Sequence, residues 1–132
     1  MSVDLDPMWA AAEQEFAGNR GEDYPTPGAL AKVLDPTTKQ TPALDLIDAA
    51  LVQVEAGACD RLIICMPPQE GKTTRVTKVG PLWALIRNPD RRIVVVSYGA
   101  DLANEFGRDI RAFITNNQGE DDSLDLGLRI AP

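Results

Sequence analysis

Apolar residues recur three and four apart through much of this chain, and in three places that helical spacing gives way to short continuous or alternating runs. Residues 4–17 predict a short helix, with Asp6 able to cap, Pro7 at the first helical position and Trp9, Ala12 and Phe16 on one face; Gly18 ends it. After a loop over residues 19–25, Thr26-Pro27 opens a brief helix that runs to Leu34 and stops at Asp35-Pro36. The third start is the clearest. Thr41 caps, Pro42 takes the first position, Asp45 and Asp48 lie toward the positive end, and Leu44, Ile47, Leu51 and Val54 form the apolar stripe up to Gly57.

The first continuous run, residues 62–66, reads as a buried strand with Cys65 inside it. It breaks at Pro67-Pro68, and residues 72–87 follow as a helix whose buried side is Val76, Val79, Leu82, Trp83 and Ile86. Pro81 lies in the middle and is expected to kink or split that helix. After the Asn88-Pro89-Asp90 turn, the β-branched run RIVVVSY, residues 92–98, is expected to lie parallel to the first strand, because a helix of crossover length joins them. A further helix over about residues 100–115 carries Leu102, Phe106, Ile110 and Ile114 in a single stripe. Residues 116–122 are a polar turn. Leu124, Leu126, Leu128 and Ile130 then alternate with Asp125, Gly127 and Arg129, the period of a half-exposed strand.

The chemistry concentrates in residues 61–74, RLIICMPPQEGKTT. A loop leaving the carboxyl end of a strand and entering a helix presents successive backbone N–H groups and the positive end of the helix dipole to an anion. Gly71 permits close approach of the backbone, Lys72 supplies a point charge for β and γ phosphates, and the Thr73 hydroxyl is placed to ligate Mg2+. In the pattern G-x-x-x-x-G-K-[ST], Met66 stands at the first glycine position, so the match is partial. The plain alternative is a proline-rich turn capping an ordinary strand-helix unit.

With 132 residues the chain has the length of about one domain, and no run approaches a membrane span. The N-terminus lacks the charge and hydropathy order of a signal peptide, which predicts an intracellular, soluble protein. There is no histidine, which excludes imidazole bases and His-ligated metals; Cys59 and Cys65 are read as reduced thiols. The net charge of −7 is uneven. Residues 1–60 carry −8 and residues 93–132 carry −4, while residues 61–92, with seven cations against two carboxylates, carry +5. Arg75, Lys78, Arg87, Arg91 and Arg92 are thereby candidates for a face toward nucleotide or DNA phosphates, or else ordinary solvated cations. No carboxylate follows a strand in the position needed to hold Mg2+ and orient water; Asp101 reads as the first turn of a helix.

Residues 41–114 resemble the start of the ATPase domain of the tailed-phage terminase large subunit. The resemblance is carried by the helix ahead of the strand, Met66-Pro67-Pro68 before Gly71-Lys72-Thr73, the Arg87-Asn88-Pro89 turn, and Ser97-Tyr98 followed by Asp101-Leu102-Ala103. It implies an α/β fold: a P-loop NTPase (RecA/ASCE-like) parallel sheet with flanking helices, incomplete and preceded by short N-terminal helices. Residues 1–40 would be the helical segment and residues 41–132 the front of the ATPase domain. It implies ATP and Mg2+ as cofactors, with Lys72 acting on the phosphates, Thr73 on Mg2+, Gln69, Glu70, Gly71 and Thr74 completing the cradle, and Gln40 at the position that reads adenine. The implied activity is ATP-driven translocation of double-stranded DNA into a procapsid, in the host cytoplasm, by a homo-oligomeric ring working with a portal protein and a small terminase subunit. Gln69-Glu70 departs from the Arg-His common in the family, and a carboxylate beside a triphosphate needs a cation or an outward orientation. The acidic Mg2+-binding pair and the nuclease domain are expected beyond Pro132, leaving this stretch incomplete for hydrolysis. The alternatives are a non-motor nucleotide-binding or kinase-like domain and an inactive terminase fragment. Arg108 and Arg111 are candidates for reaching a neighbouring subunit's site, against surface pairing with Asp101, Glu105 or Asp109.

Overall fold

Two Thr-Pro pairs start the first two helices whose full extent lies among the described residues. In the computed structural model, which describes residues 23–119 and 124–130, Thr26 Oγ1 accepts the Ala29 N–H at 3.1 Å and opens α1, Pro27–Leu34. Thr41 Oγ1 accepts the Leu44 N–H at 3.3 Å and opens α2, Pro42–Glu55. In both, proline follows the cap, where its missing N–H breaks no intrahelical bond. Gly57, at φ 75°, turns the chain off the end of α2. Thr26→Ala and Thr41→Ala should each lower the unfolding free energy by about 1 kcal/mol. Urea denaturation checks this, and no change in either variant would mean that the caps are ornamental.

The helix after the loop has two windings. Thr74–Val79 is π-helical, closed by the Gly80 N–H donating to the Arg75 carbonyl five residues back. It passes into α3, Gly80–Arg87, with Pro81 in the first turn. The expected division at Pro81 therefore takes the form of a change of pitch: the wider turn ends as proline begins a fresh α-helical start. The last helix, α4, spans Ala100–Asn116 and buries Phe106 and Ile114.

The core lies where α1, the π-helical turn, α3 and α4 meet the stretch 124–130. Leu30, Val79, Leu82, Trp83, Ile86, Ile114, Leu126 and Leu128 are all buried there. Full burial of a side chain of this size contributes about 1.5–3 kcal/mol. Trp83 Nε1 donates to the Tyr24 carbonyl at 2.8 Å, so its one polar atom is satisfied inside the core. The alternation in residues 124–130 places leucines inward and Asp125 and Arg129 outward, as expected, but the segment is not a strand. Among the described residues its one pairing is an isolated antiparallel bridge between Gln118 and Asp125.

The expected α/β fold is corrected on this point: the described residues are helical and contain no sheet. Residues 62–66 and 92–98 are not helical, yet neither makes a ladder hydrogen bond among the described residues. A continuous apolar run expresses a preference for burial and extension; a strand requires a second segment to exchange N–H and C=O bonds with it. Here the helices satisfy one another and leave both runs at the surface. Ile63 is 88% exposed, Val94 and Val96 are 83% and 85% exposed, and Tyr98 is 98% exposed. Cys65, expected inside a strand, is exposed, and both cysteines are free thiols. The expected helix over residues 4–17 lies outside the described residues. No helix among the described residues is long and apolar enough to cross a membrane.

Candidate functional site

The turn from the first apolar run into the helix is made by two residues in the left-handed region, Gln69 at φ 65° and Gly71 at φ 81°. Glycine adopts that conformation without steric penalty, whereas holding glutamine there costs of order 1 kcal/mol. Such strain is concentrated at ligand-binding loops more often than in connecting turns. The Arg75 N–H donates to the Gly71 carbonyl at 3.0 Å, which closes the first helical turn. The N–H groups of Lys72, Thr73 and Thr74 have no protein acceptor among the described residues. They are the unsatisfied donors that every helix start leaves, aimed at the loop.

The side chains divide around this turn. Gln69, Glu70, Gly71, Thr74 and Arg75 border a cleft of about 460 Å3 that also meets Lys39. Lys72 and Thr73 border a second recess of about 270 Å3, against Leu62, Ile64, Val76 and Thr77. Lys72 makes no ion pair and the Thr73 hydroxyl no hydrogen bond among the described residues, although the Thr73 carbonyl accepts from Thr77 Oγ1 at 2.6 Å. An ammonium and a hydroxyl with no protein partner among the described residues, beside three open N–H groups, suit a phosphate chain with its Mg2+: Lys72 and the N–H groups would hold phosphate oxygens, and the Thr73 hydroxyl would be a ligand to the metal. No group of three or more acidic or cysteine side chains suited to a metal exists among the described residues.

The cleft mouth is more acidic than a triphosphate favours. Glu70 is exposed there without an ion-pair partner among the described residues. Asp35 also lines it. The Thr37 hydroxyl at 2.6 Å, followed by the Thr37 N–H at 2.9 Å, holds the Asp35 carboxyl below its ordinary range, so this charge persists at lower pH.

Gln40 is drawn away from the cleft. Its Nε2 donates to Asp45 Oδ1 and Asp48 Oδ2, both at 2.8 Å, and its Oε1 accepts from Arg75 Nη2 at 2.9 Å. It borders a hollow of about 390 Å3 on the side of α1 and α2 rather than the space beside Gly71. In this arrangement both of its amide hydrogens are engaged by carboxylates.

The basic block is largely paired within the molecule. Arg75 is 3% exposed and donates to Asp48 at 2.5 Å. Lys78 meets Asp109 at 2.5 Å, and Arg87 and Arg91 meet Glu55 at 3.2 and 3.3 Å. Arg92 alone of the five has no ion-pair partner among the described residues. Arg108 and Arg111 also form no ion pair there, so the surface pairing expected for them is absent. The buried Asp48–Arg75 pair was not foreseen, although a signal existed: Asp48 sits four residues after Leu44 and one after Ile47, on the apolar face of α2.

No family model matches the chain, and no curated protein and no solved structure matches it.

Proposed function

We propose that residues 69–74 bind the phosphates of ATP and that the chain is the nucleotide-binding part of a terminase-type DNA-packaging ATPase. The observation that carries this reading is the strained turn at Gln69 and Gly71, delivering three unpartnered N–H groups, the Lys72 ammonium and the Thr73 hydroxyl to one helix start. In this role Lys72 draws the β and γ phosphates into the turn, the N–H groups fix their orientation, and Thr73 holds Mg2+. The metal supplies charge neutralisation on the phosphate oxygens when bound. Double-stranded DNA, a portal protein, a small terminase subunit and further copies in a ring are the partners that follow from the packaging role. Internal pairing of Arg75, Lys78, Arg87 and Arg91 favours a second reading, a nucleotide-binding domain that does not itself touch DNA.

Calorimetric titration with ATP and Mg2+ tests the proposal. Lys72→Ala should weaken binding about 10- to 100-fold, the loss of one hydrogen bond to a charged group worth about 1.5–3 kcal/mol. Equal affinity in the folded wild type and the folded variant would remove the phosphate-loop reading.

A further inference from the structure

Three segments distant in sequence converge on the residue that follows the proposed phosphate loop. Arg75 Nη1 meets Asp48 Oδ2 of α2 at 2.5 Å, and Arg75 Nη2 meets Gln40 Oε1 at 2.9 Å. Gln40 Nε2 returns to the same Asp48 oxygen at 2.8 Å. The space is closed by α1 at Gly28, the one residue type that leaves room. A methyl there would overlap Asp48 Oδ2 and come within 2.9 Å of Arg75 Nη1 and 3.0 Å of Gln40 Nε2. Asp48 and Arg75 are 4% and 3% exposed, and Asp48 Oδ1 is buried with no partner. All the compensation of this carboxylate therefore passes through a single oxygen facing Arg75 and Gln40. A buried charge held at one point defines position sharply, because few other placements of the helix would satisfy it.

Arg75 links this anchor to the loop through its own backbone, since its N–H closes the first turn on the Gly71 carbonyl at 3.0 Å. Leu44 backs the same glycine, with side-chain carbons 3.6 and 3.8 Å from where a Cβ would stand. Its partners in α2 and before it, Asp48 and Gln40, thus set where the left-handed Gly71 sits relative to α2. The π-helical winding begins at Thr74, so the anchored residue lies in the first turn after the loop. We infer that Arg75 is a positioning residue, which Asp48 and Gln40 clamp so that the turn at residues 69–74 is already shaped for a nucleoside triphosphate before one arrives. This inference rests on the phosphate-loop reading for its ligand, but not for the ordering of the loop.

The two parts separate experimentally. Asp48→Leu/Arg75→Met replaces the pair with apolar side chains, an exchange that commonly preserves stability while deleting the point anchor. Its expected behaviour is a wild-type denaturation midpoint, hydrogen exchange of the Arg75 amide, which is bonded to the Gly71 carbonyl, about tenfold faster without nucleotide, and MgATP affinity about tenfold lower because about a tenth of the loops remain competent. Should the double variant fail to fold, Gln40→Ala removes the half-buried member of the clamp and should give the same two changes in smaller measure. A wild-type exchange rate at the Arg75 amide in a folded variant overturns the positioning role, whatever happens to ATP. Faster exchange with MgATP affinity unchanged overturns the claim that loop shape serves the nucleotide. Equal MgATP binding by wild type and Lys72→Ala instead sinks the phosphate-loop reading, and the exchange result still decides the clamp.

Discussion

Arg75→Met is expected to lower the unfolding free energy by about 3–5 kcal/mol, the penalty for leaving a buried carboxylate without its counter-ion. Asp48 is 4% exposed, its Oδ1 already has no partner, and after the substitution only the Gln40 amide would face Oδ2. Native domains are stable by about 5–15 kcal/mol, so a loss of this size removes a large part of the total. Urea denaturation followed by circular dichroism measures it. Most of the loss should return in Asp48→Leu/Arg75→Met, because the unpaired charge rather than the missing contact causes the damage. A single-variant loss below about 1 kcal/mol, the range of exposed ion pairs, would mean that water reaches the pair freely.

Trp83→Ala should destabilise by about 3–5 kcal/mol through lost burial and the cavity left behind. Trp83 is 2% exposed and belongs to the same buried cluster as Leu30 of α1, Leu126 and Leu128. Two further contacts depend on its ring: the Nε1 donation to the Tyr24 carbonyl at 2.8 Å and the Arg87 guanidinium 5.2 Å above it. Trp83→Phe keeps most of the apolar surface and removes the donor, so it should be the milder variant. If Phe and Ala prove equally damaging, the hydrogen bond to Tyr24 matters more than the packing, contrary to the expectation here.

The composition of residues 61–92 illustrates why charge along a chain is a weak guide to a binding face. Seven cations there invite a surface for phosphates. In the folded chain Glu55 takes up both Arg87 and Arg91, Asp109 takes Lys78 and Asp48 takes Arg75. The acidic residues come from α2 and α4, outside the basic block, so the compensation is visible only once those helices are in place. Lys72, like Arg61 and Arg92, makes no ion pair among the described residues.

The sequence by itself determined what depends on neighbours within about four residues. The Thr-Pro starts of α1 and α2, the stop at Gly57, the apolar stripes of α3 and α4, the break at Pro81 and the turn at Gly71 all follow from capping, φ preference and helical spacing. The tertiary structure decided what depends on long separations. Residues 62–66 and 92–98 have every local mark of strands, but pairing is a property of two segments and these found no partner among the described residues. Gln40, which the resemblance assigns to adenine, went instead to Asp45, Asp48 and Arg75, the last of these 35 residues away. Asp48 found Arg75 across 27 residues, in a space kept open by the absent side chain of Gly28. Local rules act through the geometry of one turn, whereas a partner's identity depends on how whole helices pack, and only folding brings those atoms within reach.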